Sequence, residues 1–130
     1  MKFPAELHYT EDHEWIKLAD DNTAYIGITD FAQKELDELV YIEVETVGET
    51  LEKGDVFGTV EAVKTTSDLF MPVSGEILEF NSRLDESDGD EPTLVNEDPY
   101  GEGWIVKIKL TAPAEVDELM SAEAYEKLVS

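Results

Sequence analysis

The chain has 130 residues, enough for one domain whose hydrophobic core needs no disulfide or metal staple. It carries 32 acidic against 9 basic side chains, a formal net charge of −23, which excludes nucleic acid and anionic membrane as partners because both bind through basic surfaces. Cysteine is absent, so thiolate metal sites and cysteine nucleophiles are excluded, and any redox chemistry must ride on a group added to the chain.

The acidity suits basic protein partners, high solubility or a salt-rich setting. The longest run of large apolar side chains, Leu39–Ile42, is far too short to span a bilayer. Met1–Trp15 has neither the apolar core of a signal peptide nor the basic character of a transit peptide, so the expected location is cytoplasmic.

In chain order, β-formers in His13–Leu18 and Thr23–Ile28 flank the polar stretch Ala19–Asn22 and predict a hairpin. Thr29 or Asp30 is an N-cap for a short helix over about 30–38, with Phe31, Ala32, Glu35, Leu36 and Leu39 at helical spacing. Val40, Ile42 and Val44 alternate with Tyr41, Glu43 and Glu45, the pattern of a half-buried strand. Strands follow at Val56–Val63, Leu69–Val73 and Glu76–Phe80, with a turn at Ser74-Gly75. Gly54 and Gly75 thus bracket a nearly symmetric hairpin with its tip at Lys64–Asp68. Asp85–Glu91 is an acidic loop, and Trp104–Leu110 alternates as a strand, with Trp104, Val106, Ile108 and Leu110 on one face. From Pro113 the period becomes helical, with Val116, Leu119, Met120, Tyr125 and Leu128 on the apolar face and Ser121 available as a cap, giving a helical segment over about 113–129.

Several chemistries are missing. Val73-Ser74-Gly75 lacks the earlier glycine of a nucleophile elbow, and Gly101-Glu102-Gly103 lacks the third glycine of a dinucleotide loop. If Gly89 took the central position of a calcium loop, Leu84 and Val95 would fall on positions that need oxygen ligands. His8 and His13 are too few for a zinc site and read as two surface histidines. With acids this abundant, an acid–base pair could be drawn anywhere, so none is specific.

One residue stands apart. Lys64, one of only eight lysines, lies in Val60-Glu61-Ala62-Val63-Lys64-Thr65-Thr66-Ser67-Asp68, at a tip without the Gly or Asn that tight hairpins favour. A rigid tip presenting a single amine suits a modifying ligase and a carrier whose cofactor must visit several partners. Glu61–Asp68 resembles the lipoyl-attachment motif of the glycine cleavage system H-protein family. The resemblance extends to His13-Glu14-Trp15, Gly27–Gln33, Pro72–Ile77 with Asn81, Leu94-Val95-Asn96 with Pro99-Tyr100, Gly103-Trp104 and Ser121–Tyr125, in order and spacing over nearly the whole chain.

The resemblance implies a mainly β fold with short helices: a flattened barrel-sandwich hybrid of two antiparallel sheets, one domain over 1–130, with the lipoyl-lysine on a hairpin turn and a C-terminal helix. It implies a non-catalytic carrier with lipoate amide-linked to Lys64. The partners it implies are a pyridoxal-phosphate glycine decarboxylase that loads an aminomethyl group, a tetrahydrofolate-dependent aminomethyltransferase that removes it, dihydrolipoyl dehydrogenase that reoxidises the arm, and a lipoate ligase or lipoyl transferase. Glu61 and Asp68 match acids read by the lipoylating enzyme, and Glu14 matches an acid of the cleft that shelters the loaded arm. Trp15 and Trp104 are expected in the core.

The chain departs from the family pattern in three places. Asp37 stands where glycine is expected after the helix, Glu35 stands near a histidine of some members, and the loop Arg83–Pro92 is longer and more acidic. The nearest alternative is an H-like lipoyl carrier in another pathway, such as lipoyl relay or sulfur oxidation. A biotin carrier module is disfavoured because Val63 and Thr65, not methionines, flank Lys64. An enzyme with paired carboxylates and an interaction domain with unmodified Lys64 are the readings of other classes.

Overall fold

A computed structural model describes all of residues 1–130. Its strands are β1 (His8–Tyr9), β2 (Glu14–Leu18), β3 (Thr23–Ile28), β4 (Leu39–Glu43), β5 (Thr50–Leu51), β6 (Val56–Ala62), β7 (Thr66–Phe70), β8 (Gly75–Phe80) and β9 (Val106–Leu110). The helices are α1 (Asp30–Leu36), α2 (Leu94–Glu97) and α3 (Ala122–Val129), with a 3₁₀ segment at Pro113–Glu118. The strands form two antiparallel sheets: six strands in the order β1-β2-β3-β9-β8-β5, and three in the order β4-β6-β7. Between them lies an apolar core that includes Ile16, Ile26, Leu39, Ile42, Phe57, Val60, Ile77 and Ile108.

The first hairpin forms as expected, because Asp21 and Asn22 sit at φ 57° and 58° between β2 and β3. Two consecutive positive φ values give the turn whose twist matches the strands, and Asp and Asn tolerate them. Trp15 faces Gly27 across this hairpin, and a Cβ on Gly27 would lie 2.6 Å from the indole ring. The indole Nε1 donates to the Pro99 carbonyl at 2.9 Å, which buries Trp15 as expected; Trp104 is only half-buried, edge-on to Tyr25.

Helix α1 is capped by Thr29, whose Oγ1 accepts the Ala32 N–H. It ends at Asp37, held at φ 66°, ψ −151°. This is not the left-handed helical region that Asp tolerates, but a region that essentially only glycine enters freely. Asn96 fastens the corner: its side chain donates to the Asp37 carbonyl and to Gln33, and accepts the Leu39 N–H.

The structure corrects five readings. A bulge between Leu39 and Tyr41 leaves Val40 exposed while Leu39 and Ile42 go inward, so the simple alternation fails at one residue. The Ala62 N–H donates to the Thr65 carbonyl, which closes the turn early. The tip is therefore Val63–Thr65, and Thr66–Asp68 belong to β7, which runs over Thr66–Phe70 rather than Leu69–Val73. Gly75 is no turn residue: it opens β8 in the other sheet, where a Cβ would sit 2.7 Å from the Lys109 carbonyl oxygen. At the C-terminus the helical stretch breaks at Leu119, Ser121 caps α3, and Leu128 is exposed. Strand β9 starts at Val106, and Ile105, assigned to the outer face by alternation, is buried.

Candidate functional site: a presented lysine and an acid-lined cleft

Strands β6 and β7 carry Lys64 out from the body on a three-residue turn. Lys64 and both its neighbours are exposed; Val63 is 68% exposed. The five ion pairs of the chain do not include Lys64, so its amine is free although the surface is rich in acids. Glu61 lies opposite Thr66, just below the turn, and Asp68 opposite Thr59. Paired residues of antiparallel strands share a face, so Glu61 and Asp68 are diagonal neighbours on one face of the hairpin. Asp68 thus lies within β7, beyond the tip that Lys64–Asp68 was expected to form.

Asp68 also borders a cleft of about 360 Å³ between β7, α1 and the start of β2. Ile28, Phe31, Leu36, Val60 and Leu69 supply apolar surface and Asp12, Glu14 and Glu35 supply carboxyls, while Asp68 borders the cleft from β7 with its side chain on the strand face opposite Leu69. No lysine or arginine lines it. From Lys64 to Asp68 is four residues along an extended chain, roughly 13 Å.

Glu14 is 2% exposed and joins the two sheets. Its Oε2 accepts the N–H of Phe70, the last residue of β7, at 2.8 Å, and its Oε1 meets the Thr10 hydroxyl at 3.3 Å. Burial pushes its carboxyl up to about 8; the Phe70 N–H opposes this, the Asp12 charge adds to it, and the Thr10 hydroxyl opposes it. At neutral pH Glu14 is therefore held mostly as the neutral acid. A second hollow of about 340 Å³, bordered by Thr10, Met71 and Met120, lies on the other side of Glu14.

The pairing of Glu14 with Thr10 and with the end of β7 is invisible in the sequence, because Thr10 belongs to an ordinary polar turn and Phe70 contributes only backbone. Neither histidine joins a cluster able to hold a metal ion. His13 is half-buried beside the cleft, with its ring 4.8 Å from that of Phe31. Glu35 does line the cleft, and the acidic loop is tied down by Arg83, which pairs with Glu91 at 2.9 Å and Glu102 at 3.2 Å.

A two-sheet body that lifts one unpaired lysine on a hairpin, beside a cleft with apolar walls and acidic groups, defines a carrier-type module. The family model described as glycine cleavage H-protein matches residues 7–130. A glycine cleavage system H protein of Bacteroides fragilis is 52% identical over 130 residues, covering 100% of this chain and 99% of its own. One from Chlorobium luteolum is 55% identical over 130 residues, with 99% and 98% covered. The crystal structure of a glycine cleavage system H protein from Mycobacterium marinum superposes with a TM-score of 0.83 at 39% identity, covering 95% of this chain and 96% of that one. The chain belongs to the glycine cleavage H-protein family, whose members are the carrier component of a multienzyme system. No helix is long and apolar enough to cross a membrane.

Proposed function

We propose that this chain is the lipoyl carrier of glycine cleavage, with lipoate amide-linked to Lys64. The observation that carries the reading is the free, exposed Lys64 on its turn, joined by β7 to the acid-lined cleft. The residues fit the group: Ile28, Phe31, Leu36 and Leu69 offer apolar contact to the carbons of the arm, and the carboxyls suit a cationic cargo. The lipoyl group supplies the thiol–disulfide chemistry by which an aminomethyl group is taken up and released. A chain without cysteine cannot divert that chemistry into mixed disulfides with itself.

Glu14 gives the cargo a buried acceptor. An ammonium held against Glu14 would favour the ionised carboxylate, its proton passing to solvent, and the buried site would keep the paired charges from water. Glu35 adds negative charge on the α1 wall. Glu61 and Asp68, on one face of the hairpin, mark Lys64 for the lipoate ligase or lipoyl transferase. The partners in this reading are the pyridoxal-phosphate glycine decarboxylase, the tetrahydrofolate-dependent aminomethyltransferase and dihydrolipoyl dehydrogenase, acting in turn, with the chain itself a non-catalytic component.

Reconstitution tests the reading. The lipoylated chain mixed with the decarboxylase and aminomethyltransferase should support carbon dioxide release from glycine with methylene transfer to tetrahydrofolate. Lipoylated chain that is inert with both enzymes would point instead to the same modification serving another pathway.

A further inference from the structure

The C-terminal helix α3 reaches the wall of the cleft through a single side chain. The Tyr125 hydroxyl lies 2.9 Å from His13 Nδ1 and 2.7 Å from Thr29 Oγ1. Tyr125 and Thr29 are fully buried, and the Tyr125 ring stacks on Tyr9 at 4.9 Å. Thr29 Oγ1 also accepts the Ala32 N–H as the cap of α1.

Hydrogen-bond accounting fixes the direction of this chain of groups. Thr29 has no acceptor for its hydroxyl hydrogen other than the Tyr125 oxygen. Thr29 therefore donates to Tyr125, and Tyr125 donates to His13 Nδ1. The reverse order would leave a buried hydroxyl hydrogen without a partner. His13 Nδ1 is then an acceptor, and the ring proton resides on Nε2, the nitrogen with no partner in the protein.

We infer that Tyr125 is a positioning residue for the cleft: relayed from Thr29, its hydroxyl holds His13 as the neutral Nε2–H tautomer against the cleft wall. This inference rests on the proposed cationic cargo for its purpose. A protonated His13 would place a second cation where the aminomethyl group must dock. Protonation at Nδ1 would also turn Tyr125 around and strand the Thr29 hydrogen. The charged groups around His13 are Asp12 and Glu14 beside it in the chain, Glu35 on α1 and Asp68 on β7. Burial lowers the affinity of His13 for a proton, while Asp12 and Glu35 raise it.

Tyr125→Phe removes the hydroxyl and keeps the ring stack. The first readout is ¹⁵N NMR of the full-length, unlipoylated chain. Wild type should show His13 as the Nε2–H tautomer titrating below about 6.5, the ordinary imidazole value. Tyr125→Phe should show mixed tautomers and a midpoint moved up toward that value, and Thr29→Ser, which keeps the hydroxyl, should preserve the wild-type signature. An Nδ1–H tautomer in wild type, or an unchanged tautomer and midpoint in Tyr125→Phe, overturns the inference. The second readout is loss of the aminomethyl group from loaded chain at a pH between the two midpoints, where His13 is charged in Tyr125→Phe and neutral in wild type; it is expected to be several-fold faster in the variant. If the NMR signature shifts and the decay does not, the relay is real but the cleft does not hold the cargo, and the reading of the cleft fails instead.

Discussion

Replacing Glu14 with Gln separates the proton of this carboxyl from its shape. The amide oxygen can still accept the Phe70 N–H, while the amide nitrogen takes the place of Oε1 and gives up the weak 3.3 Å bond from the Thr10 hydroxyl. In the folded chain Glu14 is held up at about 8 against an ordinary 4.5, burial being the main cause. Between those two pH values the folded state keeps a proton that the unfolded state has released. The unfolding free energy therefore falls as pH rises: the contribution is complete below about 4.5 and is lost on passing through about 8. At about 1.4 kcal/mol per pH unit this amounts to something on the order of 5 kcal/mol. The remaining acids titrate in both proteins and cancel in the difference. The assay is urea unfolding of unlipoylated wild type and Glu14→Gln from about pH 5 to about pH 9. Wild-type stability relative to the variant should decline steadily across that range and level off above it. A difference that stays constant with pH would refute the buried, protonated Glu14. The same variant, once loaded, should lose formaldehyde and ammonia faster than wild type, because no carboxylate forms beside the cation.

Lys64→Arg should abolish lipoylation and change stability by less than about 0.5 kcal/mol in urea unfolding, since Lys64 is exposed and makes no ion pair. Asp37→Gly should raise stability by about 1 kcal/mol, because relief of the strained conformation at φ 66°, ψ −151° exceeds the extra entropy that glycine loses on folding; a lower urea midpoint would contradict it. Gly27→Ala should cost about 1–3 kcal/mol, since the new methyl would displace the Trp15 ring from the Pro99 carbonyl, and the change should be visible in tryptophan fluorescence. Association with basic partner surfaces should slow as salt rises, the screening length shrinking from about 10 Å at 0.1 M to about 3 Å at 1 M. A stopped-flow association rate that stays flat across that range would exclude steering by the net charge of −23.

Much of this architecture is written in local signals. The Asp21-Asn22 turn, the Thr29 and Ser121 caps and the alternation of β9 are short-range preferences, and each matches the structure. Apart from the break of the C-terminal helical stretch at Leu119, the failures are matters of register or of approach between distant segments. The bulge at Val40 inserts one residue that alternation cannot reveal. The turn at Val63–Thr65 closes three residues earlier than a symmetric reading between Gly54 and Gly75 requires. Gly75 is small because another strand presses on it, a reason that exists only in the assembled sheet. At the site, Lys64 stands out from its motif and its neighbours. Glu14 is different: a Glu between His and Trp in so acidic a chain looks like one more surface acid. Its burial depends on Phe70, 56 residues away, and its importance could be taken only from the resemblance. Tyr125 likewise reads as an apolar residue of an amphipathic helix, and its hydroxyl acquires meaning only when α3 brings it to His13, 112 residues earlier.

The claim on which the whole account rests is that Lys64 carries lipoate. Intact mass of the chain expressed in cells able to make lipoate, followed by peptide mapping, tests it directly. The account predicts a mass increase of one lipoyl group per chain, confined to the peptide that contains Lys64 and absent from Lys64→Arg. An unmodified chain under those conditions, or lipoate on another lysine such as Lys53, would contradict it.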